Sequence, residues 1–439
     1  MRKIKTLCIF LMLLIPITSV DSSSYERTKN TFPEFCKTAD SFDLLIISSH
    51  QFINGLQPLK DHKEQNGLIT KIVTLSEIYN GDYFSVNGRD NAEEIKYFIK
   101  NALETWNISY VLLMGDLDLI PMRKSMVQCS WYDFEYVITD LYYADVYDEH
   151  MSFCSWDSNQ NDLFGEFSWK MSDNKVEYID DIDLYPDVGI GRLPCSNEGE
   201  VNTVVEKIIT YETTTFESDW FHRMLLIGGD TFPTVWEPEG EVVTEYTGNV
   251  MANFSFEPVR LWTSQDTFKP MKINKEISSG AGFISFSGHG KAYEISTNNP
   301  YKEQRIHYFS PYLLGLSNGD KLPVAFFDAC KTAKLDFNLF GIKIPCFAWM
   351  MVKQQGGGSI ASIGATRMGY GGYAENPMGG GTCRLHADFF DAYEPGIILS
   401  DMLTNAQSAY LDNVWKDCLT LQEFVLIGDP SLKIGGYSV

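Results

Sequence analysis

Ala281-Gly-Phe-Ile-Ser-Phe-Ser-Gly-His-Gly290 and Leu322-Pro-Val-Ala-Phe-Phe-Asp-Ala-Cys330 are two apolar runs, each ending in a chemically useful residue, His289 in the first and Cys330 in the second. Runs of this length bounded by turn residues are expected as buried strands of a parallel sheet. In open α/β sheets, ligands bind in the crevice beyond the carboxyl ends of the strands. Neighbouring strands that present His and Cys there set a base beside a thiol. A thiol reacts poorly until a base takes its proton, so the pairing points to nucleophilic catalysis. Gly290 has no side chain to obstruct its N–H, which can donate to a developing oxyanion alongside the N–H of Cys330. The glycines on either side of His289 also permit an unusual backbone conformation that leaves the ring exposed. The competing readings are a Gly-His-Gly that is only a tight turn and a strand-end Cys that is inert. Both motifs on adjacent predicted strands, in that order, favour the catalytic reading.

Working outward, apolar runs at 42–48, 68–74, 110–116 and 188–194 predict further strands. A polar helix is expected from about Gly55 to Asn66. A second follows over 89–106, with Ile95, Phe98, Ile99 and Leu103 at helical spacing and Asp90 placed to cap. A third spans 197–212. Between them, residues 129–187 mix aromatics with many Asp and read as irregular loops and hairpins inserted at the sheet. Glu217-Ser-Asp219 looks like a junction, after which the pattern restarts. Strands follow at 223–230 and 257–262 and helices at 241–254 and 272–279. The two opening runs come next, then a helix at 347–355, a strand at 359–364, helical material over 386–413 and a closing run at 424–432. Such alternation implies parallel pairing with right-handed crossovers. The expected fold is therefore α/β: two adjoining subdomains, 41–216 and 217–439, each with a mainly parallel sheet flanked by helices.

The 439 residues suit a large core, and 44% hydrophobic with 21% charged content describes a globular chain. A net charge of −23 repels polyanions, which argues against nucleic acid as a partner; it can attract cationic polypeptide segments or calcium, although a solvated acidic surface with no specific partner is the plainer reading. The basic Met1–Lys5 and the short apolar run to Pro16 read as a signal peptide over 1–22, with a polar lead-in over 23–40. The alternative is an uncleaved anchor at the same place. No later segment is apolar for long enough to cross a bilayer, so no transmembrane segment is expected in the mature chain. Nine Cys become eight when Cys8 leaves; with Cys330 a working thiol, seven remain, so at least one more is free. No Cys-x-x-Cys and no paired His spacing supports a zinc site, and no cofactor is required. Asp180, Asp181 and Asp183 offer oxygens for structural calcium, although no EF-hand spacing is present and solvated carboxylates are the plainer reading. Gly356–Gly358 and Gly379–Gly381 read as flexible rims of a cleft.

Gly288-His-Gly290 and the run ending at Cys330 resemble the gingipain-type cysteine peptidases of the caspase-like clan. Asp187-Val-Gly-Ile-Gly-Arg-Leu-Pro-Cys195, Pro345-Cys-Phe-Ala348, Gly358-Ser-Ile-Ala-Ser-Ile363 and Gly428-Asp-Pro-Ser-Leu432 extend the resemblance over nearly the whole mature chain. It implies a caspase/gingipain-like fold and an exported endopeptidase acting on polypeptides. Cys330 would attack, His289 would manage protons, Gly290 and Cys330 would form the oxyanion hole, and Asp230 would orient the imidazole. It also implies preference for a basic residue before the cut, with Glu241 or Glu245 as the acid and Tyr370 as an aromatic wall. The family's small Asn-Gly turn after the nucleophile is replaced here by Lys331-Thr-Ala-Lys334, which alters the pocket beside Cys330. Two other readings stay open: a catalytically silent binding protein on the same fold, and a transpeptidase using the same acyl-enzyme. Oligomeric state does not follow from the sequence.

Overall fold

The computed structural model describes residues 41–438 apart from 130–134, 171–174, 181, 234–237, 374–375, 415–416 and 418. The signal peptide and lead-in expected over 1–40, and Asp181, lie outside the described residues.

Ten strands form one sheet: β1 (Leu44–Ser48), β2 (Thr70–Thr74), β3 (Tyr110–Met114), β4 (Gly189–Leu193), β5 (Arg223–Gly228), β6 (Glu257–Trp262), β7 (Phe283–Ser287), β8 (Val324–Asp328), β9 (Ala361–Ala365) and β10 (Phe424–Ile427). Their spatial order is β6-β5-β7-β8-β9-β10-β4-β3-β1-β2. Strands β1, β7, β8 and β9 are buried at every position, as strands covered on both faces must be. Helices make the crossovers. Asn91–Trp106 starts where the Asp90 carboxylate accepts the Glu93 N–H, and Glu198–Thr214 where Asn197 accepts the Glu200 N–H. The helical material expected over 386–413 is two helices, Gly381–Asp391 and Leu399–Asn413. Part of the 129–187 segment joins a separate four-stranded sheet built from Arg123–Cys129, Glu135–Thr139, Phe164–Lys170 and Lys175–Tyr178.

β10 runs antiparallel to β9, an exception to the parallel pattern, and pairs with β4 at Ile427 and Arg192. Through it the strands of 41–216 and those of 217–439 form one continuous sheet. Two buried charge sets lie at this junction. The Arg192 guanidinium donates to both oxygens of Asp140 at 2.7 and 2.6 Å and to the Gly115 and Ile120 carbonyls. Lys63, fully buried, lies 2.8 Å from Glu212 and 2.7 Å from Asp429, tying an N-terminal helix to the C-terminal segment. Removing one partner from such a set leaves an uncompensated buried charge, at a cost of about 3–5 kcal/mol.

The chain passes from β5 outward to β6 and then returns to the other side of β5 as β7. This reversal opens a crevice at the carboxyl ends of β5 and β7, the place where open α/β sheets bind ligands. Gly356–Gly358 lies at the opposite end of the sheet, ahead of β9. There Asn318 exchanges two hydrogen bonds with Gly358, and a Cβ on Gly358 would sit 2.0 Å from the Met351 carbonyl oxygen. That run is a packed turn and not a cleft rim.

Candidate active site

β7 and β8 pair in parallel with Ser287 opposite Asp328, and the Gly288 N–H donates to the Asp328 carbonyl. Two residues beyond each partner stand His289 and Cys330, so both leave the sheet at the same level. Below them, Ser287 Oγ donates to Asp328 Oδ2 at 2.7 Å, joining the two strand ends. Fully buried His386 backs this contact. Its ring stacks on Phe326, its Nε2 lies 2.9 Å from Ser285 Oγ, and its Nδ1 is 3.7 Å from Asp328. Burial favours the neutral Asp328 acid, but His386, Thr382 and Ser287 outweigh it and lower its pKa.

His289–Lys291 is a short strand that pairs with Glu294–Asn299, which in turn pairs with Lys302–Phe309. This small antiparallel sheet was not expected from the sequence. Lys291 and Glu294 close a two-residue hairpin, so Gly290 opposite Ile295 is a non-hydrogen-bonded position and its N–H faces away from the partner strand. Neither Gly288 nor Gly290 has positive φ. Gly290 is required by close approach instead: a Cβ there would lie 2.4 Å from the Cys330 carbonyl oxygen.

The imidazole is oriented by a main-chain group. His289 Nε2 is 2.8 Å from the Thr231 carbonyl, which can only accept, so Nε2 carries the proton and Nδ1 holds the basic lone pair. The carbonyl is itself held. Asn298 exchanges main-chain hydrogen bonds with Asp230, and its side chain donates to the Asp230 and Thr231 carbonyls. The Thr231 N–H donates to Glu239. The Cys330 thiol donates to the Gly369 carbonyl at 3.5 Å. Its thiol and the ring share no hydrogen bond, as both have other partners.

Comparison with known proteins matches residues 37–435 to peptidase family C25. The chain belongs to peptidase family C25. Gingipain R2 of Porphyromonas gingivalis is 22% identical over 428 residues, which are 94% of this chain and 48% of the relative. An uncharacterized protein of Archaeoglobus fulgidus is 23% identical over 360 residues, 73% of this chain and 75% of its own length. The crystal structure of the Arg-specific cysteine proteinase gingipain R aligns with a TM-score of 0.65 at 20% identity, covering 90% of this chain and 78% of that one. The complex of Porphyromonas gingivalis RgpB pro- and mature domains aligns at 0.64 and 19% identity, covering 89% of this chain and 79% of that one. These structural likenesses establish the gingipain-type, caspase-like fold. The chain spans about half the length of the gingipain R2 it matches.

In this C25 chain the expected Asp230 role moves to its neighbour. The Asp230 carboxylate is 4% exposed and makes no hydrogen bond to His289; its Oδ1 has no hydrogen-bond partner. Burial first, then Glu239 and Glu241, push its pKa up to about 6. The acids expected to select a basic residue are engaged elsewhere. Glu245 makes a two-point pair with Arg260 at 2.8 Å, and Glu241, buried, accepts from the Ser264 N–H, Ser264 Oγ and Thr263 Oγ1. Glu239, which the sequence reading passed over, keeps Oε1 buried without a hydrogen-bond partner. Tyr370 directly follows the Gly369 that holds the thiol and is 36% exposed, at the edge of the site.

Asp180 accepts from Ser158 and the Glu166 N–H, and Asp183 from the Tyr185 N–H. Among the described residues no group of three His, Cys, Asp or Glu side chains is arranged to hold a metal ion, and no helix is long and apolar enough to cross a membrane. Cys154, Cys195, Cys346 and Cys383 are buried, whereas Cys330 is partly exposed.

The surroundings of Cys330 and His289 favour the neutral form of each. Burial first, then the Glu423 carboxylate, push the Cys330 thiol up to about 11, against Lys331. Burial and the Arg305 guanidinium lower the His289 pKa below its ordinary 6.5, against the Thr231 carbonyl. Alkylation of Cys330 by iodoacetamide is therefore expected to rise about tenfold per pH unit from 7 to 10, because only the thiolate reacts. A rate plateau below pH 8 would show a preformed thiolate–imidazolium pair and contradict the neutral assignment.

Proposed function

We propose that the protein is an exported cysteine endopeptidase that hydrolyses peptide bonds through a thioester intermediate. The observation that carries this reading is the level placement of His289 and Cys330 beyond paired strands, with Gly290 packed against the Cys330 carbonyl. As Cys330 Sγ bonds to the substrate carbonyl carbon, its proton passes to His289 Nδ1. The carbonyl electrons move onto oxygen, which accepts from the N–H groups of Gly290 and Cys330. When the C–N bond breaks, the imidazolium returns the proton to the leaving amine, and a thioester remains. Water, deprotonated by the neutral ring, then cleaves the thioester and restores the thiol. An amine in place of water would make the same site a transpeptidase. A silent binding protein has no need of this alignment.

A basic residue before the cut is the preference we assign. Asp230 Oδ1 and Glu239 Oε1 are buried acceptors without hydrogen-bond partners beside the Thr231 turn that holds the ring. Clustered buried carboxylates are costly unless a cation joins them. The test is cleavage of a mixed peptide library by the mature protein under reducing conditions, with fragments sequenced. Cuts concentrated after Lys or Arg, lost in Glu239→Gln, are expected. Cuts spread evenly over residue types would overturn the basic preference, and uncut peptides would overturn the peptidase reading.

A further inference from the structure

Asn338–Leu339 and Ile342–Lys343 form a hairpin whose turn is Phe340-Gly341. Both turn residues have positive φ, 52° at Phe340 and 82° at Gly341, a type I′ geometry usually given to Asn, Asp or Gly. Phe340 is 96% exposed, Ile342 66% and Leu339 50%. A bulky apolar residue in a left-handed turn, with its ring in water, is disfavoured twice at one position, and such outliers gather at functional segments. The hairpin borders a cleft of about 510 Å³ at the carboxyl ends of β3 and β4. Trp349, Pro194 and Leu335 supply apolar lining, and of the four carboxylates of Asp116, Asp118, Glu200 and Asp336 three are in ion pairs, with Lys343, Lys353 and Arg367, which leaves the cleft one negative charge in excess. Asp118 pairs with Lys343 and Glu200 with Lys353, while among the described residues Asp116 accepts from the main-chain amides of Asp118 and Leu119. One ion pair separates this cleft from the nucleophile. Asp336, on its wall, holds Arg367 at 2.7 and 3.0 Å, and the Arg367 carbonyl accepts the N–H of Lys331, next to Cys330.

We propose that this cleft and the 338–343 hairpin are an exosite for the substrate polypeptide itself, taking an extended flanking segment with an apolar side chain between Lys or Arg residues. The inference rests on the peptidase reading for its occupant. An apolar hairpin beside an acidic, partly apolar cleft, continuous with the segment that carries the nucleophile, is complementary to such a segment. Contact with the hairpin gives the exposed Phe340 ring the burial it lacks in the free protein.

The test uses synthetic peptides sharing one cleavage sequence. One is short and blocked; the others extend it on either flank through a Gly-Ser spacer to a Lys-Phe-Lys segment. In the intact protein, kcat/KM for an extended peptide should exceed that for the short one. The ratio should fall about tenfold or more in Phe340→Ser, chiefly through KM, because an exposed Phe gains its burial only when the segment binds. It should also shrink at high salt. Because both peptides are measured on one preparation, misfolding lowers both rates and leaves the ratio intact. An unchanged ratio in Phe340→Ser overturns the exosite. Should the protein cut neither peptide, the peptidase reading fails, and the exosite is then judged on its own by binding. Fluorescein-labelled extended peptide on Cys330→Ala should bind about tenfold more weakly when Phe340→Ser is added; equal affinity, or no binding to either, overturns it.

Discussion

Gly290→Ala is expected to lower kcat/KM for peptide cleavage by about 10²-fold or more in a protein that stays folded. The added methyl would lie 2.4 Å from the Cys330 carbonyl oxygen, 2.8 Å from Thr332 Cγ2 and 2.9 Å from Ala329 Cβ. The first of these atoms is main chain of Cys330, so no rotamer change relieves the contact and the two strand ends must part. A displacement of roughly 1 Å between reacting groups costs about 10²-fold. The same shift pulls the Gly290 N–H from the oxyanion, a second loss in the same direction. Far-ultraviolet circular dichroism and kcat/KM together check this. Activity within threefold of the parent would remove Gly290 from the site.

His289→Ala is expected to lower kcat by about 10²–10⁴-fold, the range for loss of a general base. The parent should keep its activity down to below pH 6.5, because burial and Arg305 hold the ring neutral there, and the variant should lose that acid limb altogether. Alkylation of Cys330 at pH 9 should persist in the variant, since the thiol forms its own anion at alkaline pH and remains partly exposed. Full cleavage with the acid limb retained would assign the base elsewhere.

The fold was legible wherever one apolar run meant one buried strand. The 41-residue separation of His289 and Cys330 is also the offset of the β7–β8 register, Phe283 to Val324 and Ser287 to Asp328, so equal distances past two strand ends already put both residues at one level. Strand direction was not legible for β10, because a short apolar run reads the same parallel or antiparallel. The strand Lys302–Phe309 mixes Lys, Glu, Gln, Arg and His with its apolar residues, which hid the small sheet that carries His289. At the site, residue types singled out Cys330 and His289, but the group holding the imidazole is the Thr231 carbonyl, and main-chain acceptors have no residue-type signature. Asp230 stood at the right place in the chain for that role with its carboxylate turned to other surroundings. The partners of Glu241 and Glu245, Ser264 and Arg260, lie 23 and 15 residues away, beyond what helix-face reasoning sees. The glycine at 290 meets a close approach to Cys330 and not an unusual φ.

The most direct measurement of the central claim is mass spectrometric mapping of the protein after reaction with a peptidyl ketone electrophile ending in Lys, alongside cleavage assays of Cys330→Ala. The account predicts one label per chain, on the peptide that contains Cys330, with loss of cleavage in step with labelling and no cleavage by Cys330→Ala. Persistent cleavage by Cys330→Ala, or stoichiometric inactivation with the label on another residue, would contradict it.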